Sequence, residues 1–331
     1  MNKLLGETDP KKLLELKKTI PNLTHSIYEI PETNRSIILN HIKQFSKKTN
    51  QLHILTDIDD TIYPSRFGGA DLTFKNHIVY PGVLSFYRHI ATTGFVTLLT
   101  ARPKSLYSDT TETISKAIGR PVDVLYGLIR DLNPGIGIDM IKRLFQPLIP
   151  SVRSHPTKIE HITGKEPIKW YSTYNDMAKT KFISIIKYTT VYPEFKFIFI
   201  GDSGQGDMIC AYHIYRHKKK NSNFAVKASF IHNIIKSKDL KPIRMIEDQT
   251  FITELQNRNI YLFNNYIDLA GQLYSLDLIK PDVLDKIIDE TIEDFKENKK
   301  DSIYDKDPNY ISYIETELND SASFYTKQKD I

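Results

Sequence analysis

The chain of 331 residues contains a single cysteine, Cys210, and no long uninterrupted apolar run. One cysteine excludes an internal disulfide framework and favours a reducing compartment. No segment approaches the roughly 18 to 20 consecutive apolar residues of a membrane-spanning helix. The first residues also lack the apolar core of a secretory signal. We therefore expect a cytoplasmic protein with no transmembrane segment.

Charge is distributed unevenly along the chain. Residues 281–331 contain 14 acidic and 7 basic side chains, whereas residues 1–280 contain 38 basic and 26 acidic ones. A basic body suits an anionic partner, such as a phosphorylated substrate or a membrane surface, although lysines also simply solvate a surface. No segment resembles a nucleic-acid-binding module, so we expect no nucleic-acid partner.

Short apolar runs alternate with segments of helical periodicity through the middle of the chain. Such alternation predicts an α/β fold with a mainly parallel central sheet and helices on both faces. The predicted strands are 52–58, 95–100, 122–129, 195–202 and 224–234. Helices are predicted between them, and residues 260–279 are predicted to form a closing helix.

Three regions follow from this pattern. Residues 1–50 are predicted to form a helical extension with two helices, and residues 51–280 are predicted to form the main domain. Within that domain, residues 131–172 are rich in turn-forming residues and are interpreted as an insertion of uncertain form. Residues 281–331 are predicted to form a helix followed, beyond about Asn298, by an acidic and flexible tail.

Four short segments hold the residues that suggest chemistry: "DIDDT", "LLTAR", "KTKF" and "GDSGQGD". Asp57, Thr100 and Asp202 each stand at the end of a predicted parallel strand. The carboxyl ends of parallel strands lie along one edge of a sheet, where ligands bind. We therefore expect these three side chains to converge although they are far apart in sequence.

Carboxylates that converge repel one another, so such a cluster indicates a bound cation. Mg²⁺ prefers oxygen ligands and takes few of them from protein carboxylates. Asp57 and Asp202 can supply side-chain oxygens, and a main-chain carbonyl near Asp59 can supply a third. The sequence therefore predicts Mg²⁺ as a cofactor.

A hydroxyl and a lysine would turn this cluster into a phosphate site. Thr100 can donate a hydrogen bond to a phosphoryl oxygen, and a lysine ammonium can neutralise another. Lys179 and Lys181, at the start of a long predicted helix, are the two candidate lysines. An activated carboxylate, a metal and a phosphate clamp are the parts of an aspartyl-phosphate mechanism.

In this order, the four segments resemble the four motifs of the haloacid dehalogenase-like (HAD) phosphohydrolase superfamily. "DIDDTI", "YPGVLSFYRHI", "TARP" and "GDSGQGD" resemble more closely the catalytic domain of the actin-patch phosphatidate phosphatase family. The resemblance covers roughly residues 52–235. It implies a HAD-like (Rossmannoid) three-layer sandwich, a phosphoric monoester hydrolase activity and a Mg²⁺ cofactor.

The resemblance also implies the catalytic roles. Asp57 would attack phosphorus, and Asp59 would protonate the leaving oxygen and later deprotonate water. Thr61 would orient this pair. Thr100 and Lys181 would bind the phosphoryl group. Lys181 lies where the family lysine is expected, and Lys179 is its competitor.

The metal would be bound through Asp57, Asp59 and Asp202, with Asp207 assisting directly or through water. Asp60 occupies the variable position of the motif and receives no role beyond a contribution to the local electrostatic field. These assignments are what the resemblance implies.

The substrate is less specified than the reaction. The resemblance implies phosphatidic acid, hydrolysed at a membrane surface to diacylglycerol and phosphate by a protein bound peripherally. However, "GDMICAY" lacks the acidic run that often follows this motif, and no aromatic follows Pro103. A phosphatase of soluble phosphate esters or phosphoproteins stays an alternative. A non-catalytic phosphatidate-binding module is the alternative of another class.

Overall fold

The computed structural model describes residues 1–63, 79–100, 108–126, 172–204, 206–235, 244–298 and 308–329. Its centre is a six-stranded sheet in which every pairing is parallel, with strand order β3-β2-β1-β4-β5-β6. The strands are β1 Leu52–Thr56, β2 Phe95–Leu99, β3 Asp123–Leu125, β4 Lys196–Asp202, β5 Val226–His232 and β6 Ile260–Phe263. The predicted parallel α/β architecture is therefore confirmed.

Twelve helices occur within the described residues. Four precede the sheet: α1 Asn2–Gly6, α2 Pro10–Thr19, α3 Leu23–Glu29 and α4 Glu32–Phe45. The others are α5 Val83–Thr93, α6 Ser108–Ile118, α7 Ser172–Val191, α8 Asp207–Lys220, α9 Gln249–Gln256, α10 Tyr266–Ser275, α11 Pro281–Asn298 and α12 Pro308–Lys329. None of these helices has the length and apolar character needed to cross a membrane.

Both faces of the sheet are buried because successive side chains of a strand point to opposite faces. In β4, Ile198 and Ile200 pack with α5, α10 and α11 on one face. Phe197 and Phe199 pack with α7, α8 and the N-terminal helices on the other face. Helices that cover both faces explain why the strands appear in the sequence as continuous apolar runs.

The N-terminal region forms four helices rather than the two expected. Asp9 caps α2 by accepting hydrogen bonds from the main-chain nitrogens of Lys11 and Lys12, and Pro10 begins the helix. Pro31 separates α3 from α4 because a proline disfavours helical geometry in the residue before it. Apolar side chains of these helices belong to the same buried cluster as those of α7 and β4.

The C-terminal region also differs from the sequence prediction. The single helix expected over residues 260–279 is a strand, β6, followed by α10. The tail expected to be flexible beyond Asn298 contains α12, in which Ile314, Leu318 and Tyr325 are buried. The predicted 131–172 insertion lies outside the described residues except for Ser172, the first residue of α7.

Candidate functional site

Three neighbouring strands bring site residues to the carboxyl edge of the sheet. Asp57 follows β1 directly, and its main-chain nitrogen donates to the carbonyl of Ile200 in β4. Asp202 is the last residue of β4, which pairs with β1. Thr100 follows β2, the other neighbour of β1, and is buried. All three side chains lie at the edge where the sequence predicted them.

After β1 the chain makes a tight turn, in which the aspartates differ in how deeply they are buried. The nitrogen of Ile62 donates to the carbonyl of Ile58 at 2.8 Å, and the nitrogen of Asp60 donates to the carbonyl of Tyr63 at 2.7 Å. Asp60 has a φ of +55°, a conformation that aspartate adopts more readily than most residues. Asp57 and Asp60 are buried, whereas Asp59 is only partly buried.

Lys181 is the lysine of the site. Its Nζ lies 2.6 Å from Oδ1 of Asp57 and 2.5 Å from Oδ1 of Asp207, and its side chain is 1% exposed. Lys179, one of the two lysines weighed from the sequence, has a side chain that is 45% exposed and pairs with Asp176 on the same helix. Two positions along α7 turn the side chain by about 200°, which explains why only Lys181 faces the carboxylates.

Asp207 begins α8, where the helix N-terminus favours a negative charge. Its Oδ2 accepts a hydrogen bond from the nitrogen of Asp202 at 3.2 Å. The nitrogen of Gly204 donates to Oδ1 of Asp202 at 2.7 Å. A Cβ at position 201 would lie 2.4 Å from Oδ2 of Asp207, so only glycine fits beneath this carboxylate.

The three carboxylates form a cluster suited to a metal ion. Asp57, Asp202 and Asp207 are buried, and each offers an oxygen within 4.8 Å of the others. Oδ2 of Asp57 is buried and has no hydrogen-bond partner among the residues that the structure describes. With Lys181 as the neighbouring cation, the ionised group carries a net charge of −2. A hard divalent cation with oxygen ligands, such as Mg²⁺, fits this donor set.

The side chain of Asp59 is not part of that cluster. Its expected contribution to metal binding through a main-chain carbonyl stays a prediction. Thr61 is fully buried, and its Oγ1 has no hydrogen-bond partner within the described part of the chain. Asp60 is buried beside the site, and its charge contributes to the raised pKa of Asp202.

Burial has the largest effect on the pKa values of the carboxylates in the cluster, and repulsion between them adds to it. Burial raises the pKa of Asp57 well above its usual value, and Asp207 and Asp59 raise it further against the opposing effect of Lys181. Burial and Asp207 likewise raise the pKa of Asp202. Burial alone would lower the pKa of Lys181, but Asp207 and Asp57 outweigh it and hold that pKa well above normal. The two carboxylates therefore favour the protonated form of this lysine.

The structure adds contacts that the sequence analysis did not identify. Nδ1 of His232, at the end of β5, lies 2.8 Å from the carbonyl of Asp60. Burial lowers the pKa of His232 to about 3, so its ring is neutral. The hydroxyl of Tyr266 donates to the carbonyl of Thr61 at 2.8 Å. No local sequence motif identifies either residue, because each contacts a turn that lies about 170 to 205 residues earlier in the chain.

No protein-family model matches this sequence, and no curated protein matches it.

Proposed function

We propose that the chain is a Mg²⁺-dependent phosphomonoesterase of the HAD type, which acts through a phosphorylated Asp57. The observation that carries the proposal is the contact of Lys181 with both Asp57 and Asp207, in a cluster that also contains Asp202. The cluster lies at the carboxyl edge of a parallel sheet, where ligands bind in such folds.

The metal would be held by Asp57, Asp202 and Asp207. When bound, Mg²⁺ supplies positive charge that reduces repulsion between the Asp57 carboxylate and the oxygens of an incoming phosphate. Oδ1 of Asp57 contacts Lys181, and Oδ2 makes no hydrogen bond within the described structure. The two carboxylate oxygens of Asp57 thus already have different surroundings before substrate binds.

In the first step, an oxygen of Asp57 attacks phosphorus and the bond from phosphorus to the alcohol oxygen breaks. Asp59 donates a proton to that leaving oxygen. In the second step, Asp59 removes a proton from water, which attacks phosphorus and releases inorganic phosphate and the Asp57 carboxylate. Lys181 and Thr100 compensate the charge on the phosphoryl oxygens in both steps.

The exposure of the two aspartates supports this division of roles. Asp57 is buried with its charge compensated by Lys181, which suits a group that becomes covalently modified. Asp59 is partly exposed, which suits a group that must reach both the leaving alcohol and a water molecule. Together, the two aspartates favour catalysis over a module that only binds phosphatidate.

Phosphate release from an aryl phosphate, with and without Mg²⁺, tests the reaction. We expect wild-type protein to release phosphate only with Mg²⁺, and Asp57→Asn to lower kcat by at least about a thousandfold, since it removes the nucleophile. Asp176→Asn is the matched control, because this exposed carboxylate on α7 pairs with Lys179 and not with the site. If wild type and Asp57→Asn are equally inert while both bind phosphatidate liposomes, the protein is a binding module.

For the substrate, the resemblance favours phosphatidic acid, converted to diacylglycerol and phosphate. We expect mixed micelles containing phosphatidate to be hydrolysed with a higher kcat/KM than soluble phosphate monoesters. The opposite order would assign the same chemistry to soluble phosphate esters or phosphoproteins.

A further inference from the structure

Two side-chain hydroxyl groups donate hydrogen bonds to main-chain carbonyls of the turn that follows β1. The hydroxyl of Thr56 donates to the carbonyl of Asp57 at 3.0 Å, and that of Tyr266 donates to the carbonyl of Thr61 at 2.8 Å. These two carbonyls bracket the main chain that contains the proposed nucleophile and the proposed acid. Tyr266 reaches this turn from the first residue of α10.

A second tyrosine completes the arrangement. The hydroxyl of Tyr87, on α5, lies 2.6 Å from Oγ1 of Thr56. Its ring centroid is 6.0 Å from that of Tyr266, and both rings are fully buried. A consistent assignment has Tyr87 donating to Thr56, Thr56 donating to Asp57 and Tyr266 donating to Thr61, so that each hydroxyl uses its single hydrogen once.

Both phenols stay protonated at any physiological pH. Burial raises the pKa of Tyr87 and of Tyr266 far above the usual value for tyrosine, and the negative charge of Asp57 raises both further. A buried hydroxyl costs stability unless it is hydrogen-bonded. Phenylalanine would fill the same apolar space, so packing alone does not require a hydroxyl at either position. The role of the two hydroxyls is therefore in the hydrogen bonds that they make.

We propose that Tyr266 is a positioning residue for the reaction at Asp57, supported by Tyr87 through Thr56. The Tyr266 hydroxyl holds the carbonyl of Thr61 in place. Because Thr61 lies two residues after Asp59 in the same turn, this hydrogen bond also fixes the position of Asp59 relative to the leaving group. The inference rests on the proposed function for its catalytic consequence, while the hydrogen bonds themselves are independent of it.

Kinetics of Tyr266→Phe test the proposal, because this substitution removes only the hydroxyl. We expect kcat for an aryl phosphate to fall by about tenfold, with KM within about twofold of wild type. Tyr325→Phe is the matched control. It removes another tyrosyl hydroxyl, which makes a partly buried hydrogen bond to Asp268 of α10 at 2.9 Å rather than to the turn after β1. We expect this variant to lose comparable thermal stability and to keep the kcat of wild type.

A second readout does not depend on activity. Thermal unfolding with increasing Mg²⁺ gives the concentration that half-saturates the stabilisation, and we expect Tyr266→Phe to require several-fold more Mg²⁺ than Tyr325→Phe. If Tyr266→Phe folds poorly, Tyr87→Phe replaces it, with the same expectation.

An unchanged kcat together with unchanged Mg²⁺ dependence in Tyr266→Phe would overturn the positioning role. An equal loss of kcat in Tyr266→Phe and Tyr325→Phe would overturn it as well, by showing a general effect of stability. An inert wild-type protein would instead contradict the proposed function, and the Mg²⁺ titration would still decide whether Tyr266 positions the turn.

Discussion

At the scale of single residues, the site is an unusual concentration of buried charge. Lys181 and three carboxylates lie out of contact with solvent, where charges are costly unless they are paired. Lys181 is shared between Asp57 and Asp207, so it reduces the repulsion of two carboxylates at once. Removing it takes away the cation that directly contacts Asp57 and Asp207 in the described part of the chain.

Lys181→Met should therefore affect both stability and function. We expect a loss of about 3 to 5 kcal/mol in the free energy of unfolding without Mg²⁺, as is typical when one partner of a buried ion pair is removed. Phosphatase activity should be lost as well. Chemical denaturation in the presence of a metal chelator measures the first effect.

Lys179→Met is the control for this prediction, since it changes a half-exposed lysine two positions away on the same helix. We expect it to alter stability by no more than about 0.5 kcal/mol, as surface substitutions usually do. Equal effects of the two variants would contradict the assignment of Lys181 to the site.

The positions of individual site residues could be predicted from the sequence where the end of a strand fixes the position of the side chain. Asp57 and Asp202 could be placed together because each directly follows or ends a parallel strand. The sequence could not separate Lys181 from Lys179, because their difference is one of helix face and burial. Tyr266 could not be found at all, since its contact with Thr61 depends on how α10 packs beneath the turn.

At the scale of elements, the N-terminal helices are joined to the rest of the chain by a buried ion pair. Lys17 of α2 pairs with Glu194, which follows α7, and the two side chains are 0% and 1% exposed. Nζ of Lys17 also donates to the carbonyl of Val191 at 3.0 Å, at the end of α7. The hydroxyl of Ser46, just after α4, donates to the same carboxylate oxygen. These contacts attach the N-terminal helices to the helix that contains Lys181.

Lys17→Met should break this attachment. Because a buried carboxylate would be left without its cation, we expect a loss of about 3 to 5 kcal/mol in the free energy of unfolding. Lys12→Met changes an exposed lysine of the same helix and should have little effect. Comparable denaturation curves for the two variants would show that the Lys17–Glu194 pair contributes nothing to stability.

Element prediction was strongest in the centre of the chain and weakest near its end. The strands β1, β2, β4 and β5 follow from their apolar runs. β6 was missed because "YLFNNYIDLAGQLY" has helical spacing, and only pairing with β5 makes Ile260–Phe263 a strand. α12 was missed because its composition is polar, although Tyr325 packs against Gly271, where even a Cβ would collide with the ring.

At the scale of the whole molecule, buried neutral histidines make stability depend on pH. Burial lowers the pKa of His53 from 6.5 to about 3, and its ring lies among aromatic side chains of the sheet and α7. Because the folded pKa lies below the unfolded one, the unfolded chain binds the proton first as pH falls. The stability that depends on a neutral His53 is thus present above about pH 6.5 and is lost progressively toward pH 3.

His53→Gln should flatten this dependence, since glutamine does not titrate and can still bond to Thr97, the present partner of Nε2. Between pH 7.5 and pH 5, we expect wild type to lose about 2 kcal/mol more than the variant. Urea denaturation at the two pH values measures the difference, and the comparison cancels the contribution of the site carboxylates. Identical losses in both proteins would contradict a neutral buried His53.

In the proposed reaction, Asp57 becomes covalently phosphorylated with Mg²⁺ bound beside it. The most direct measurement is mass spectrometry of peptides after the protein is incubated with an aryl phosphate and Mg²⁺ and then quenched in acid. We predict a phosphoryl group on the peptide containing Asp57, which hydroxylamine removes as it does other acyl phosphates. The label should be missing in Asp57→Asn and in samples treated with a metal chelator. Phosphate release by wild type with the same modification on another residue, or an unchanged rate in Asp57→Asn, would contradict Asp57 as the nucleophile.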